Sequence, residues 1–335
     1  MKLTYLSRLA RGKKTSAIAT LIGCLAAIHF SRRAGWLLSL LPVLNGTAAV
    51  AGETHEAQTP ASTPSAPVES AAAKPPWGRI MVVGASASAG FTESEPLGGP
   101  TTPQYRLSRF VDAALLVPHE PVQNLAHTMF FANAEAVGRD QIERALKARP
   151  TLVIGIDFLF WFCYGDGPTD KDRLQRFEKG LKLLEAVRCP LVLGDIPDAS
   201  GASNDMLPTD QIPSAETMSA ANRRLKEWAA SRRKVVVVSL SGFMRAAMAD
   251  KALSIRGYRL PQGQTRILLQ SDKLHPSPPG CAVLALAILD AFQSTRPASS
   301  AAEVRWDPKE VFCLVVNSSP GATRTPAKQG TAGER

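Results

Sequence analysis

Between Ile80 and Phe292, short unbroken apolar runs alternate with longer stretches whose apolar residues recur at helical spacing. Ile80 to Gly84, Thr151 to Ile156, Pro190 to Gly194 and Lys234 to Ser239 are continuous runs rich in Val, Ile and Leu. That is the pattern of strands buried on both faces of a parallel sheet. Pro121 to Ala126 reads as a further short strand, second in chain order. From Ala134 to Ala148 the apolar positions Ala136, Val137, Ile142, Ala145 and Leu146 predict a helix. Asp170 to Val187 is amphipathic, with Leu174, Phe177, Leu181 and Leu184 on one face. The stretch opening at Pro213 and running through Asn222, Leu225 and Trp228 predicts another helix, and Gly280 to Phe292 predicts an apolar closing one. Ser241 to Gln270 reads as a long connecting segment with no element assigned. Strand and helix alternate, so right-handed crossovers build a parallel sheet of about five strands covered on both faces. The expected class is α/β, a three-layer α/β/α sandwich, and one domain suffices.

The ends of the chain break this pattern. Two apolar runs, Ser16 to Phe30 and Trp36 to Val50, each follow cations: Arg8, Arg11, Lys13 and Lys14, then Arg32 and Arg33. The second run closes on Ala49-Val50-Ala51-Gly52, a small-x-small pattern that a signal peptidase cuts. Residues 1–51 therefore read as a signal peptide or a membrane anchor, although the first run is shorter than the ~20 residues needed to span a bilayer. Leu21-Ile22-Gly23-Cys24 offers an alternative lipoprotein box, but the residues after Cys24 stay apolar rather than forming a polar tether. Residues 52–76, dominated by Ala, Pro, Ser and Thr, read as a flexible linker. The folded domain is expected over 77–294. Residues 295–335 are expected to be a largely disordered extension, with Val311 to Val316 either an added edge strand or fortuitous. These features predict export, with a periplasmic, membrane-anchored or extracellular location.

Composition changes this picture little. In 335 residues the net charge is +10, a balance that can signal nucleic acid or an anionic surface. Many of the cations lie in the leader and tail, so solvated surface charge is expected and no nucleic-acid partner. The five cysteines, Cys24, Cys163, Cys189, Cys281 and Cys313, have no zinc-type spacing. Cys163, Cys189 and Cys281 sit among apolar neighbours, so neither a disulfide nor a metal site is assigned. No cofactor is expected, and oligomeric state is not legible.

The candidate chemistry lies where strands end. In parallel sheets ligands bind at the carboxyl ends of strands, and Ser86, Asn124, Asp157 and Asp195 fall at or just past such ends. The run Val82-Val83-Gly84-Ala85-Ser86 is how a buried strand breaks into a helix with a hydroxyl exposed. Far downstream, Asp272-Lys273-Leu274-His275-Pro276 supplies a base. A serine hydroxyl is a poor nucleophile until an imidazole takes its proton, and the imidazole needs a carboxylate to fix its tautomer. His29 and His55 precede the domain and His119 and His127 lie near the second strand, so only His275 has an acidic, proline-braced context.

On these two segments the chain resembles the SGNH/GDSL hydrolases, serine esterases and lipases of flavodoxin-like three-layer fold, over about Arg79 to Phe292. Val83-Gly84-Ala85-Ser86-Ala87-Ser88-Ala89-Gly90-Phe91 is similar to the family's first block, which puts Ser86 at the nucleophile. Asp272-Lys273-Leu274-His275-Pro276 is similar to its last block, Asp-x-x-His-Pro. The resemblance implies a triad of Ser86, Asp272 and His275 acting on an ester, possible substrates including O-acylated carbohydrate or lipid. It also implies oxyanion donors at the backbone of Ser86, at Met129 where the family has a glycine, and at Asp157 where it has an asparagine. The last is a departure, because an ionised carboxylate repels an oxyanion. Two readings of Asp157 stand: the apolar run Phe158-Leu159-Phe160-Trp161-Phe162 keeps it protonated as a donor, or it braces the loop by accepting backbone N–H groups. The aromatic run itself reads as core or acyl-pocket wall.

Two rival functions follow from the same residues. The departures at Met129 and Asp157 fit a catalytically weak or inactive ligand-binding module on this scaffold. A phosphate-binding loop at Gly84 to Gly90 lacks the Gly-Lys-Ser/Thr ending of a P-loop and the Gly-x-Gly-x-x-Gly spacing of a dinucleotide fold, and leaves Asp272 and His275 unexplained.

Overall fold

Five parallel strands form the central sheet: β1 (Ile80–Val82), β2 (Gln123–Asn124), β3 (Leu152–Gly155), β4 (Leu191–Gly194) and β5 (Val235–Val238), in the order β2-β1-β3-β4-β5. The computed structural model describes residues 75–167 and 169–318. The leader read at 1–51, nearly all of the 52–76 linker, Cys24 and the last residues of the tail lie outside them. The order 2-1-3-4-5 is the flavodoxin-like arrangement, in which the connections reverse direction between β1 and β3 and leave a crevice at the carboxyl ends of those strands. β1, β3 and β4 are buried along their whole lengths, as continuous Val, Ile and Leu runs require.

Helices cover the sheet in two layers. In chain order they are α1 (Ser86–Ala89), α2 (Leu107–Ala114), α3 (Ala134–Lys147), α4 (Phe160–Cys163), α5 (Asp170–Leu184), α6 (Ala215–Ala230), α7 (Leu240–Met248), α8 (Pro278–Gln293) and α9 (Pro308–Asn317). One group packs α2, α8 and α9 together; the other packs α3, α5 and α6. Starts are set by side chains that accept first-turn N–H groups: Asn133 for α3, Thr169 for α5, Ser214 for α6 and Ser277, followed by Pro278, for α8. Among the described residues no helix is long and apolar enough to cross a membrane.

Two expectations are corrected. Residues 295–318 belong to the fold rather than to a disordered extension, and Val311 to Val316 is helical, not an edge strand. Pro308 opens α9 with Asp307 capping it, and Val311 and Val315, four residues apart, are buried on one face. Leu115 pairs with Val304, and the Trp77 indole N–H donates to Glu303 at 2.6 Å, tying the start of the domain to its end. The stretch from Ser241 to Gln270 also has structure. Ser239 caps α7, and β6 (Leu253–Ile255) pairs with β7 (Tyr258–Leu260) across a two-residue turn in which Arg256 and Gly257 both have positive φ. The four described cysteines are unpaired thiols, and burial pushes those of Cys163 and Cys281 up to about 12.

Candidate active site

The register of β1 against β3 brings the site together. Val82 faces Ile154, so Ser86, four residues past Val82, and Asp157, three past Ile154, meet at the topological reversal. Gly84 ends β1 with φ +141°, a conformation open to glycine but not to L side chains. Its N–H donates to Gln141 Oε1 at 2.7 Å, and its carbonyl accepts from Gln141 Nε2 at 2.9 Å and from the His127 N–H at 3.1 Å. Gln141 is a buried amide on α3, and it fixes both polar groups of the glycine as the chain leaves the sheet. Ser86 then occupies the first position of the one-turn α1, where its own N–H has no intrahelical acceptor. Gly90, with φ +84°, ends the turn and its N–H returns to the Ser86 carbonyl.

The candidate base lies on the turn Asp272 to His275, shaped by Lys273 at φ +56°. Asp272 Oδ1 accepts the N–H of Leu274 at 2.9 Å and of His275 at 3.0 Å, and Oδ2 lies 2.6 Å from His275 Nδ1. His275 Nε2 lies 2.7 Å from Ser86 Oγ. Because an ionised carboxylate only accepts, Nδ1 carries the ring proton and Nε2 is left to receive the serine hydroxyl. Burial pushes the Asp272 carboxyl up, but the hydrogen bond and charge of His275 and the two backbone N–H groups outweigh it and hold the group below its ordinary value. The expected triad is thus assembled as one hydrogen-bonded line, with Asp272 and His275 each about 4% exposed.

A second set of contacts anchors this line, none of it anticipated from sequence. The Phe91 ring stacks on the His275 imidazole, centroids 3.8 Å apart and planes 21° apart. The Glu93 carboxylate accepts from the Asp272 N–H at 2.6 Å and from the Ser271 hydroxyl. Gln270 Nε2 donates to the carbonyls of Phe91 and Pro276, both at 2.9 Å. The histidine loop is therefore strapped to the segment that follows the nucleophile turn. Glu93→Gln should lower kcat by about 10-fold with little change in KM, since it loosens positioning without touching substrate; equal losses of kcat and folded fraction would assign Glu93 to stability alone.

The expected oxyanion side is arranged differently. Met129 lies in the 3-10 segment Thr128–Ala132, and its N–H donates to His127 Nδ1 at 3.0 Å. That donor is occupied rather than aimed at the crevice. Asp157 does reach the nucleophile turn, but both its oxygens are held by Ser88: Oδ1 at 2.7 Å from the hydroxyl and Oδ2 accepting the N–H at 3.0 Å. The geometry is that of a brace under α1. Burial pushes the carboxyl up, partly offset by its bonds from Ser88 and the Ala85 N–H. Of the other strand-end residues, Asn124 Nδ2 donates to the Ala126 carbonyl, and Asp195 accepts from the Ser241 N–H and hydroxyl at the start of α7. Neither joins the triad.

A raised folded-state pKa means Asp157 binds its proton more tightly folded than unfolded. Its stabilising contribution is complete below the ordinary carboxylate range and is lost as pH rises through the raised value. Asp157→Asn keeps the shape, accepts the Ser88 N–H and donates to the Ser88 hydroxyl, so both Ser88 contacts are kept. The variant should melt higher than the parent at pH 8, with the gap closing toward pH 4. A gap independent of pH between those limits would contradict a titrating Asp157.

An apolar cavity opens beside Ser86 and His275, walled by Ile156, Phe160, Trp161, Leu240, Phe243 and Met244. The aromatic run thus splits: Phe158 and Phe162 are fully buried core, while Phe160 and Trp161 face the site. Among the described residues no cluster of His, Cys, Asp and Glu could hold a metal ion.

No family model matches the chain, and no curated protein matches it significantly. Among solved structures it is similar to a lipase/acylhydrolase from Enterococcus faecalis, at 16% identity, covering 69% of this chain and 98% of that one with a TM-score of 0.45. It is similar to an acetylxylan esterase from Geobacillus stearothermophilus at 16% identity, 64% and 94% coverage and a TM-score of 0.42. A gut microbial diltiazem-metabolizing enzyme aligns at 15% identity, 64% and 46% coverage and a TM-score of 0.40.

Proposed function

We propose that this chain is a serine hydrolase of SGNH type that cleaves carboxylic esters through an acyl-enzyme on Ser86. The observation that carries the reading is the unbroken line from Asp272 to His275 to Ser86, with both links at hydrogen-bond distance. Ser86 Oγ attacks the ester carbonyl carbon while its proton passes to His275 Nε2, and Asp272 stabilises the imidazolium. Collapse of the tetrahedral adduct breaks the bond to the alcohol oxygen, which takes the proton from Nε2. Water then attacks the acyl-enzyme, gives its proton to Nε2, and the acid leaves as Ser86 Oγ is reprotonated. The Ser86 N–H, at the head of α1, is the donor this chain offers the developing oxyanion.

The apolar runs and small-x-small pattern before Gly52 support an exported enzyme, and so an ester met outside the cytoplasm, O-acylated carbohydrate or lipid among them. A second reading, a ligand-binding module with little turnover, is favoured by one observation, the engagement of the Met129 N–H by His127. Steady-state hydrolysis of p-nitrophenyl acetate separates the two. Turnover well above background that His275→Ala removes supports the hydrolase, and binding without turnover supports the module.

A further inference from the structure

We propose that the end of the domain opposite Ser86 is a docking face for a bilayer surface rich in anionic phospholipid headgroups. In a parallel sheet every strand starts at the same end, so the residues that precede the strands share one face while the crevice lies at the other. Here those residues are basic. Lys147 and Arg149 precede β3, Arg188 precedes β4, and Arg233 and Lys234 precede β5; all five are exposed, and none forms an ion pair among the described residues. Three acids at this end are already held: Glu120 by Arg79, Glu185 by Arg232 and Glu303 by Arg296. The dipole of a helix favours cations in its last turn, which accounts for Lys147 at the end of α3. Arg188, Arg233 and Lys234 lie past the ends of α5 and α6, in the connections, so the dipole does not account for them.

The shape of the array and its neighbours select a bilayer over nucleic acid. Neighbouring strands stand about 4.8 Å apart, so the cations before β3, β4 and β5 are spread along about 10 Å of sheet edge, with no groove between them. Leu116, 52% exposed, stands at the same end, its N–H donating to the Glu303 carbonyl at 2.9 Å. An apolar side chain among cations fits a headgroup layer with hydrocarbon beneath it. No Phe or Trp is among the exposed large apolar side chains of the described residues, so nothing here offers a base a ring to stack on. The chain also enters the domain on this face. Thr151, just before β3, donates its hydroxyl to the Pro76 carbonyl at 2.9 Å and accepts the Arg79 N–H at 2.7 Å, and the Gly78 carbonyl accepts the Glu120 N–H at 3.0 Å. Upstream of that entry the sequence carries its two apolar runs, Ser16 to Phe30 and Trp36 to Val50. Each cation brought to an anionic surface strengthens binding by about 5-fold. On the ester-hydrolase reading, this orientation turns the crevice toward water, which favours O-acylated carbohydrate over the lipid of the docked membrane as substrate.

The test labels lysines on the full chain with a water-soluble acetylating reagent and measures each site by peptide mass spectrometry. The chain is compared free, with phosphatidylcholine vesicles, with vesicles that also contain phosphatidylglycerol, and with duplex DNA. Lys147 and Lys234 should be labelled at least 5-fold more slowly on the anionic vesicles alone. Lys171, at the start of α5, and Lys273, on the histidine loop, are exposed at the opposite end and should keep their free rates. The double variant Arg188→Glu/Arg233→Glu should lose the protection; the parent is read directly, so the result stands even where that variant folds poorly. Lys147 and Lys234 left reactive on anionic vesicles, Lys273 covered as strongly as they are, or protection by DNA without protection by vesicles would each overturn the proposal. Labelling needs no turnover, so these outcomes leave the hydrolase reading intact, while absence of ester hydrolysis would remove the inference about substrate and leave the docking face.

Discussion

Ser86→Ala should lower kcat/KM for any accepted ester by about 10⁴- to 10⁶-fold while leaving the melting temperature within a few degrees of the parent. The loss is large because members of such a triad act as one unit, and what survives is binding and oxyanion stabilisation alone. Stability should hold because, among the described residues, the Ser86 hydroxyl bonds only to His275, whose ring stays fixed by Asp272 on one side and Phe91 on its face. Asp272→Asn gives the complementary result. An amide accepts at one atom and donates at the other, so it can no longer both hold the Nδ1 proton and accept two backbone N–H groups; a fall of about 10⁴ is expected. Ser86→Ala retaining a tenth or more of parental activity would remove Ser86 from the chemistry.

Gly84→Ala should destabilise the domain severely although it alters no catalytic side chain. A Cβ on Gly84 would fall well inside contact distance of Asp157 Oδ1 and 3.2 Å from Ser88 Oγ, and φ +141° is strained for any L residue. Backbone strain and overpacking each cost about 1–3 kcal/mol. At roughly 2–4 °C per kcal/mol for a domain of this size, melting should fall by about 10 °C. Gly257→Ala is the control: its φ is +83°, but an added Cβ there meets nothing within 4 Å. It should show the backbone cost alone. Equal losses for the two would mean that the packing of Asp157 against the glycine contributes nothing.

The parallel core and the hydrogen-bonded line of Ser86, His275 and Asp272 were legible because each is written locally. Continuous Val and Ile runs specify strands buried on both faces, and Asp272 and His275 sit on one turn with their partner serine at the end of the first strand. What escaped was held by distance or by exception. Gln141 lies on the inward face of α3 with Gly138, Ile142 and Ala145, and a polar residue inside an apolar stripe was the signal that it has a buried partner. Phe91 and Glu93 reach the histidine loop across more than 170 residues, a contact that periodicity does not encode. The α7 helix hid because Ser241 and Gly242 interrupt its first turn, yet its Leu240, Phe243 and Met244 wall the cavity. At Val311 to Val316 a β-branched run outweighed the helix start at Asp307-Pro308, and tertiary packing decided for helix.

Asp157 shows how one residue served two expectations. Burial pushes its carboxyl up, against the hydrogen bonds from Ser88 and the Ala85 N–H. Its partner is Ser88, two residues past Ser86, which holds both carboxylate oxygens. Geometry makes it a brace that carries a raised pKa.

The most direct test of the whole account is to treat the folded chain with a fluorophosphonate, measure the intact mass and locate the adduct by peptide sequencing. A single phosphonyl group on Ser86, absent in His275→Ala, is the predicted result, because only a serine whose proton is taken by that imidazole attacks phosphorus at a useful rate. An unmodified protein, or an adduct on a serine other than Ser86, would contradict it.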